Sequence, residues 1–228
     1  MPRTRIKICG VRTVEHALAA AAAGADAVGL VFAEGSPREI NLAQARAIVE
    51  ALPALVEPVG LFVNGSVDRV RETATELGLR TVQLHGGETP EQVRALAPLR
   101  VIRGLGFDST SIQAVLAAWQ PWPDNLAALL LDAPPKPVAS DGAAEKPVTG
   151  GTGRTLDHAA LAALLQSDHG AGMPPIMLAG GLTPENVGAA IRTVRPWAVD
   201  VSSGIESSRG VKDLLRIAAF GAAVRRAD

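Results

Sequence analysis

Tyrosine is absent from the 228-residue chain, and the remaining aromatics, four Phe and three Trp, amount to 3% of it. Core packing is therefore left to Ala, Val, Leu and Ile, the types that suit strands and layered barrel interiors. The same scarcity removes the stacking platforms on which single-stranded nucleic acids are usually held. Cysteine is as rare: one residue, Cys9, so no intrachain disulfide can form. Neither sign of charge dominates, with 22 basic and 23 acidic residues and a net charge of −1. No extended field draws nucleic acid or an anionic membrane, and an anionic ligand has to be bound by local groups. Long apolar runs are missing too. The most apolar helix-like stretch, Ala17 to Ala23, falls far short of the roughly 20 residues that span a bilayer. The N-terminus lacks the apolar core of a secretion signal. The expectation is a cytoplasmic protein with no nucleic-acid or membrane partner.

What is present is regular. The chain is 47% hydrophobic and 20% charged, enough apolar material for a sizeable core. Its length suits one domain, since single α/β barrels reach about 200–250 residues. Eight short Val-, Ile- or Leu-rich runs alternate with helical patterns, the signature of repeated βα units on a parallel sheet. Strands are expected at Arg5–Cys9, Ala27–Phe32, Pro58–Val63, Thr81–His85, Val101–Gly104, Ala128–Asp132, Ile176–Ala179 and Ala198–Ser202. Helix starts are marked by Thr13 with Glu15, Asn41 with Gln44, and Thr183 with Glu185, whose side-chain oxygens can accept from orphan N–H groups. Eight evenly spaced units favour an α/β fold of the (β/α)8 TIM-barrel type, one domain over residues 1–228, with an open doubly wound sheet as the alternative. One segment breaks the rhythm. Pro134 to Thr149 is rich in proline and small polar residues and reads as a long loop after the sixth strand, a lid or a passive insertion.

In a barrel, residues at the C-terminal strand ends meet in one pocket. Here those ends carry polar groups that interrupt apolar runs. Strand one ends at Cys9, a residue that taken alone is more often a small buried hydrophobe. At a barrel mouth near a cation, however, a thiol can titrate low enough to act as a base. Lys7 lies on the same strand face one layer deeper, and Asp200 on strand eight is placed to neutralise it; the plainer reading has Lys7 reaching the lower rim and Asp200 capping a turn. Asp132 closes an apolar run, where a carboxylate is costly to bury unless a partner or a chemical role compensates. No helix begins after it for it to cap. Arg38 offers a planar fork suited to a carboxylate, although a loop arginine is ordinarily just solvated. Gln83 and His85 share a strand face, with His85 either a ligand contact or a rim histidine. Glycine-rich turns at Gly150–Gly153, Gly180–Gly181 and Ser202–Gly204 suit phosphate, because backbone N–H groups can approach an anion where no Cβ intervenes. The candidate phosphate contacts are Gly151, Gly153, Gly180, Gly181, Ser203 and Gly204. His16, His158 and His169 lack Cys or acidic partners at metal-ligand spacing, so no metal is expected.

Taken together these residues resemble the phosphoribosylanthranilate isomerase family. The resemblance is carried by Lys7-Ile-Cys-Gly10, Gly29-Leu-Val-Phe32 with Ser36-Pro-Arg38, Gly60-Leu-Phe-Val-Asn64, Val82-Gln-Leu-His-Gly86, Leu131-Asp132, Gly150-Gly-Thr-Gly153, Ala179-Gly-Gly-Leu-Thr-Pro-Glu-Asn186 and Val199-Asp-Val-Ser-Ser-Gly-Ile-Glu206. It runs in order from Ile6 to about Lys212. It implies an Amadori rearrangement in tryptophan biosynthesis on a phosphorylated small molecule, without cofactor or metal, in a monomer or homodimer. It further implies Asp132 as general acid, Cys9 as general base, Arg38 on the anthranilate carboxylate and the late glycine turns on the phosphate. Gln83, His85 and Asp200 count as further substrate-side positions. The family usually reaches its Gly-Gly-Thr-Gly turn after a shorter loop than Pro134–Thr149. Other barrel chemistries fit less well: a histidine-pathway isomerase is expected to carry paired aspartates at strands one and five, where this chain has Cys9 and Gly104 or Leu105. Indole-glycerol-phosphate synthase is expected to show a catalytic lysine and glutamate. A non-catalytic phosphometabolite-binding barrel is the alternative outside the enzymes.

Overall fold

The computed structural model describes residues 3–133, 156–167, 170 and 172–228. The segment expected as a long loop at 134–149, the turn holding Gly151 and Gly153, and His169 lie outside the described residues. Eight strand–helix units follow one another: β1 (Arg5–Cys9), α1 (Val14–Ala22), β2 (Ala27–Val31), α2 (Leu42–Ala51), β3 (Glu57–Phe62), α3 (Val67–Leu77), β4 (Thr81–Leu84), α4 (Pro90–Ala95), β5 (Arg100–Gly106), α5 (Ile112–Ala117), β6 (Leu126–Asp132), α6 (His158–Gln166), β7 (Ile176–Leu178), α7 (Val187–Val194) and β8 (Ala198–Val201), with α8 (Leu214–Ala227) last. Between β8 and α8 stand a 3-10 turn, Ser203–Ile205, and a small antiparallel hairpin, β9 (Glu206–Ser208) and β10 (Val211–Lys212).

The eight strands are parallel and close on themselves in chain order, so the fold is a (β/α)8 barrel and not the open sheet. Closure is made by β1 against β8, with Lys7 level with Asp200, while on its other edge β1 sets Cys9 level with Gly29 of β2. Strand alternation then divides the core in two. Val59, Ile102, Ala128, Leu130, Met177, Ala179 and Ala198 fill the barrel interior. Residues of opposite parity, such as Ile8, Leu30, Phe62, Leu84, Leu129 and Leu131, pack outward under the helices.

The helix starts follow local chemistry. Thr13 accepts from the His16 N–H, and Asn41 with Gln44 forms a reciprocal capping box. The third expected start is displaced. Thr183 begins a turn, in which its N–H donates to Asn186 Oδ1 and its hydroxyl accepts from the Glu185 N–H, and α7 itself starts at Val187. Strand ends differ by a residue or two from expectation. The largest difference is β5, which runs on to Gly106 because that residue still pairs with Asp132 of β6. Among the described residues no helix is long and apolar enough to cross a membrane.

Candidate active site

Cys9 is the last residue of β1 and is 5% exposed. Space for its thiol comes from the neighbouring strand: a Cβ on Gly29 would stand 2.7 Å from Cys9 Sγ. One layer below, the Lys7 ammonium donates to Asp200 Oδ1 at 2.7 Å, with both side chains at or under 9% exposure. Lys7 thus stays inside the barrel instead of reaching the lower rim, and Asp200 is its counter-ion. Burial works against the Lys7 charge, yet Asp200 and Cys9 outweigh it and hold its pKa above the usual lysine value. For Cys9 the balance goes the other way. Burial pushes the thiol up and Asp200 adds to this, against the opposing pull of Lys7 and Lys212. Cations are present beside the thiol, but desolvation outweighs them.

Across the mouth, Asp132 ends β6. Its Oδ1 accepts the Ala133 N–H at 2.7 Å, and its Oδ2 lies 3.5 Å from His85 Nε2. His85 follows β4, and its Nδ1 lies 3.0 Å from Gln83 Nε2. A Gln83 amide that donates there leaves the ring proton on Nε2, facing the carboxylate. Gln83 is 1% exposed and sits beneath the histidine, so it meets the imidazole and not the open mouth. The ring needs a neighbour without a side chain: a Cβ on Gly104 of β5 would collide with His85 Nδ1.

Arg38 lies in the loop between β2 and α2, its stem running over Gly10, where a Cβ would come within 2.5 Å of Arg38 Cδ. Its guanidinium is gripped bidentately by Glu206, Nε to Oε1 at 2.7 Å and Nη2 to Oε2 at 3.0 Å. Glu206 also accepts from Lys212 Nζ at 2.9 Å and from the Gly210 N–H at 3.1 Å. Burial opposes its charge, but these donors hold its carboxyl below the ordinary range. Lys212, with a fully buried side chain, is pushed down by desolvation despite Glu206. It also donates to the Ser202 carbonyl at 2.9 Å, and Ser202 Oγ donates to the Cys9 carbonyl at 3.1 Å.

The late glycine turns share this rim. Gly180 and Gly181 adopt left-handed φ of 84° and 63°, and a Cβ on Gly180 would come within 3.0 Å of Asp132 Oδ1. Asn186 Nδ2 ties down the Gly181 carbonyl at 2.9 Å. Ser203 and Gly204 open the 3-10 turn after β8, and Arg216 holds the Gly204 carbonyl through Nε and Nη2. The strand ends thus bring Cys9, Arg38, His85, Asp132, Gly180, Gly181, Ser203 and Gly204 to one end of the barrel, with Gln83 and Asp200 a layer below.

Sequence reading missed Glu206 and Lys212 as parts of this site. Glu206 closes a matched motif, but only the hairpin β9–β10 reveals that it faces Arg38. It missed Glu88 and Arg103 as well, a buried pair 3.2 Å apart that secures the turn behind His85. The apolar–polar–glycine pattern of Arg103-Gly104 was the available signal: a charge on the outward face beside a gap on the inward one.

Comparison with known proteins finds relatives along nearly the whole chain. The family model for N-(5'-phosphoribosyl)anthranilate (PRA) isomerase matches residues 6–223. The N-(5'-phosphoribosyl)anthranilate isomerase of Pseudomonas fluorescens is 44% identical over 99% of this chain and 97% of its own length, and that of Pseudomonas aeruginosa 45% over the same shares. Among solved structures, phosphoribosyl anthranilate isomerase from Thermotoga maritima superposes with a TM-score of 0.82 at 36% identity, covering 98% of this chain and 99% of the other. A phosphoribosyl anthranilate isomerase in complex with reduced 1-(o-carboxyphenylamino)-1-deoxyribulose 5-phosphate gives 0.79 at 34% over the same shares. With a match over nearly its whole length in sequence and in fold, the chain belongs to the N-(5'-phosphoribosyl)anthranilate isomerase family.

Proposed function

We propose that this chain converts N-(5-phosphoribosyl)anthranilate to 1-(2-carboxyphenylamino)-1-deoxyribulose 5-phosphate, the Amadori step of tryptophan biosynthesis, with Asp132 as general acid and Cys9 as general base. The observation that carries the reading is the placing of a buried thiol on β1 and a carboxyl on β6 at the same barrel mouth, three strands apart around the closed wall. Asp132 protonates the furanose ring oxygen, the C1–O bond breaks, and the anilino nitrogen supplies the electron pair of the resulting Schiff base. Cys9 then takes the proton from C2, and the C–H electrons form the enolamine, which tautomerises to the ketone. The sum is an isomerisation in which no atom is gained or lost. Arg38 holds the anthranilate carboxylate, and the turns at Gly180–Gly181 and Ser203–Gly204 hold the phosphate, so that the sugar is fixed between acid and base. His85, 3.5 Å from Asp132, orients it, and Gln83 sets the tautomer. Asp200 acts beneath the thiol through Lys7.

The test is direct. Purified protein mixed with phosphoribosylanthranilate should abolish the substrate's fluorescence, and absence of turnover would overturn the reading. Cys9→Ser and Asp132→Asn should each lower kcat by about two orders of magnitude or more with modest change in KM, the pattern of groups that act in the transition state. A phosphometabolite-binding protein would show ligand affinity without turnover, and these substitutions would leave that affinity unchanged.

A further inference from the structure

We infer that Glu206 is the positioning residue that presents Arg38 to the substrate carboxylate, an assignment that rests on the role proposed above for Arg38. A carboxylate has about four acceptor sites, and all four on Glu206 are engaged by the protein. Oε1 takes Arg38 Nε at 2.7 Å and Lys212 Nζ at 2.9 Å, and Oε2 takes Arg38 Nη2 at 3.0 Å and the Gly210 N–H at 3.1 Å. Nothing is left on Glu206 for a ligand, so it acts through its partners.

What it does to Arg38 follows from geometry. Bidentate pairing fixes the plane of the guanidinium as well as its position, and contact with Gly10 fixes the stem. Glu206 engages the Nε–Nη2 edge and leaves Nη1 to face other groups. A long arginine would otherwise have to be ordered at the moment of binding, at a cost in affinity. Charge also fits. Arg38 and Lys212 bring two cations to one carboxylate, so 2 − 1 leaves one positive charge for an incoming anion. Through Lys212 and Ser202 the same carboxylate is tied to the backbone of Cys9, so the carboxylate-binding loop and the end of β1 share one anchor. The hairpin that carries Glu206 docks where a Cβ on Gly210 would strike the Pro37 carbonyl, beside Arg38; the antiparallel β9–β10 unit thereby serves as a bracket for the Arg38 loop.

The experiment compares wild type, Glu206→Gln, Arg38→Ala and the double variant by steady-state kinetics, thermal unfolding and anthranilate binding. Glu206→Gln should raise KM about tenfold, equivalent to about 1.4 kcal/mol, with kcat within about threefold, because Arg38 binds ground state and transition state alike. In the double variant KM should stay within about twofold of Arg38→Ala alone, since a residue acting through Arg38 has no further effect once Arg38 is gone. A brace that merely staples the hairpin predicts the opposite: lowered Tm, unchanged KM, and additive effects in the double variant. Either unchanged KM in folded Glu206→Gln or full additivity overturns the assignment. Should Glu206→Gln not fold, Glu206→Asp keeps the charge but shortens its reach, and its KM should rise about threefold; a wild-type KM there overturns the assignment as well. Anthranilate affinity separates this proposal from the functional reading: a wild type that binds anthranilate without turning over substrate refutes the reaction, whereas equal anthranilate affinity in wild type and Glu206→Gln refutes the clamp.

Discussion

Single residues in this barrel are shaped as much by missing atoms beside them as by contacts. Gly29 leaves room for the Cys9 thiol and Gly104 for the His85 ring. Neither glycine has a positive φ, so sequence-level turn logic gives no reason for them; the reason is the side chain on the adjacent strand. Gly104→Ala should therefore act as an overpacking substitution beside the acid, costing about 1–3 kcal/mol of stability. Because the ring has to leave its place near Asp132, kcat should fall more than tenfold; thermal unfolding and turnover on one preparation check both. Cys9 supports a second prediction. A base works in its deprotonated form, and burial holds this thiol above its ordinary value, so a titration followed by thiolate absorbance, wild type minus Cys9→Ser, should have its midpoint above about 8.5, the usual cysteine pKa. A thiolate already formed at about pH 7 would contradict a Cys9 thiol raised by burial. Cys9, Asp132 and His85 were legible as candidates because each interrupts an apolar or small-residue run at a strand end, and Arg38 because it stands in the loop that follows one. The direction of the Cys9 shift was not, since it depends on how the desolvation of a closed barrel compares with the pull of Lys7 and Lys212.

At the scale of elements, the eight strand–helix units were legible because apolar runs four to six residues long recur between helical patterns. The hairpin β9–β10 was not, because strands of three and two residues carry no usable alternation. That is why Glu206 went unassigned: its role depends on a turn folding back over the Arg38 loop. A similar device holds the turn after β4. Glu88 accepts from the Asn64 and Gly86 N–H groups, both at 2.7 Å. Arg103, on the outward face of β5, donates to Glu88, Leu84 O and Gly86 O while its guanidinium lies 5.3 Å from the Trp119 ring. The pair links the loops after β3 and β4 to β5 and fixes the chain on either side of His85. Glu88→Gln leaves the buried guanidinium without its counter-charge, so unfolding by urea should show a loss of about 3–5 kcal/mol. In the fraction that remains folded, kcat should fall more than KM rises, because the displaced part is the His85 turn and not the Arg38 loop.

For the whole molecule, barrel closure brings Lys7 and Asp200 together across 193 positions of sequence. Their pairing was foreseeable once β1 and β8 were taken as neighbours, whereas an open sheet would have kept them apart. The pair is buried in the barrel interior beside an apolar cluster, a setting in which breaking one partner is far worse than replacing both. Lys7→Met should cost about 3–5 kcal/mol by stranding the Asp200 carboxylate, and Lys7→Met with Asp200→Leu should recover most of that loss, the interior being refilled with apolar volume. The pair also sets the alkaline limit. Because the folded-state pKa of Lys7 is raised, its stabilisation is complete below the unfolded lysine value of about 10.4. Above that pH the unfolded chain loses its proton first, so fewer protons are bound in the unfolded than in the native state and stability falls as pH climbs through the folded value. Urea midpoints measured from pH 8 to pH 11 should decline more steeply for wild type than for the double variant, which has no such proton to lose. Parallel declines would mean that Lys7 titrates alike in both states, and the barrel would owe nothing at high pH to the ion pair beneath its thiol.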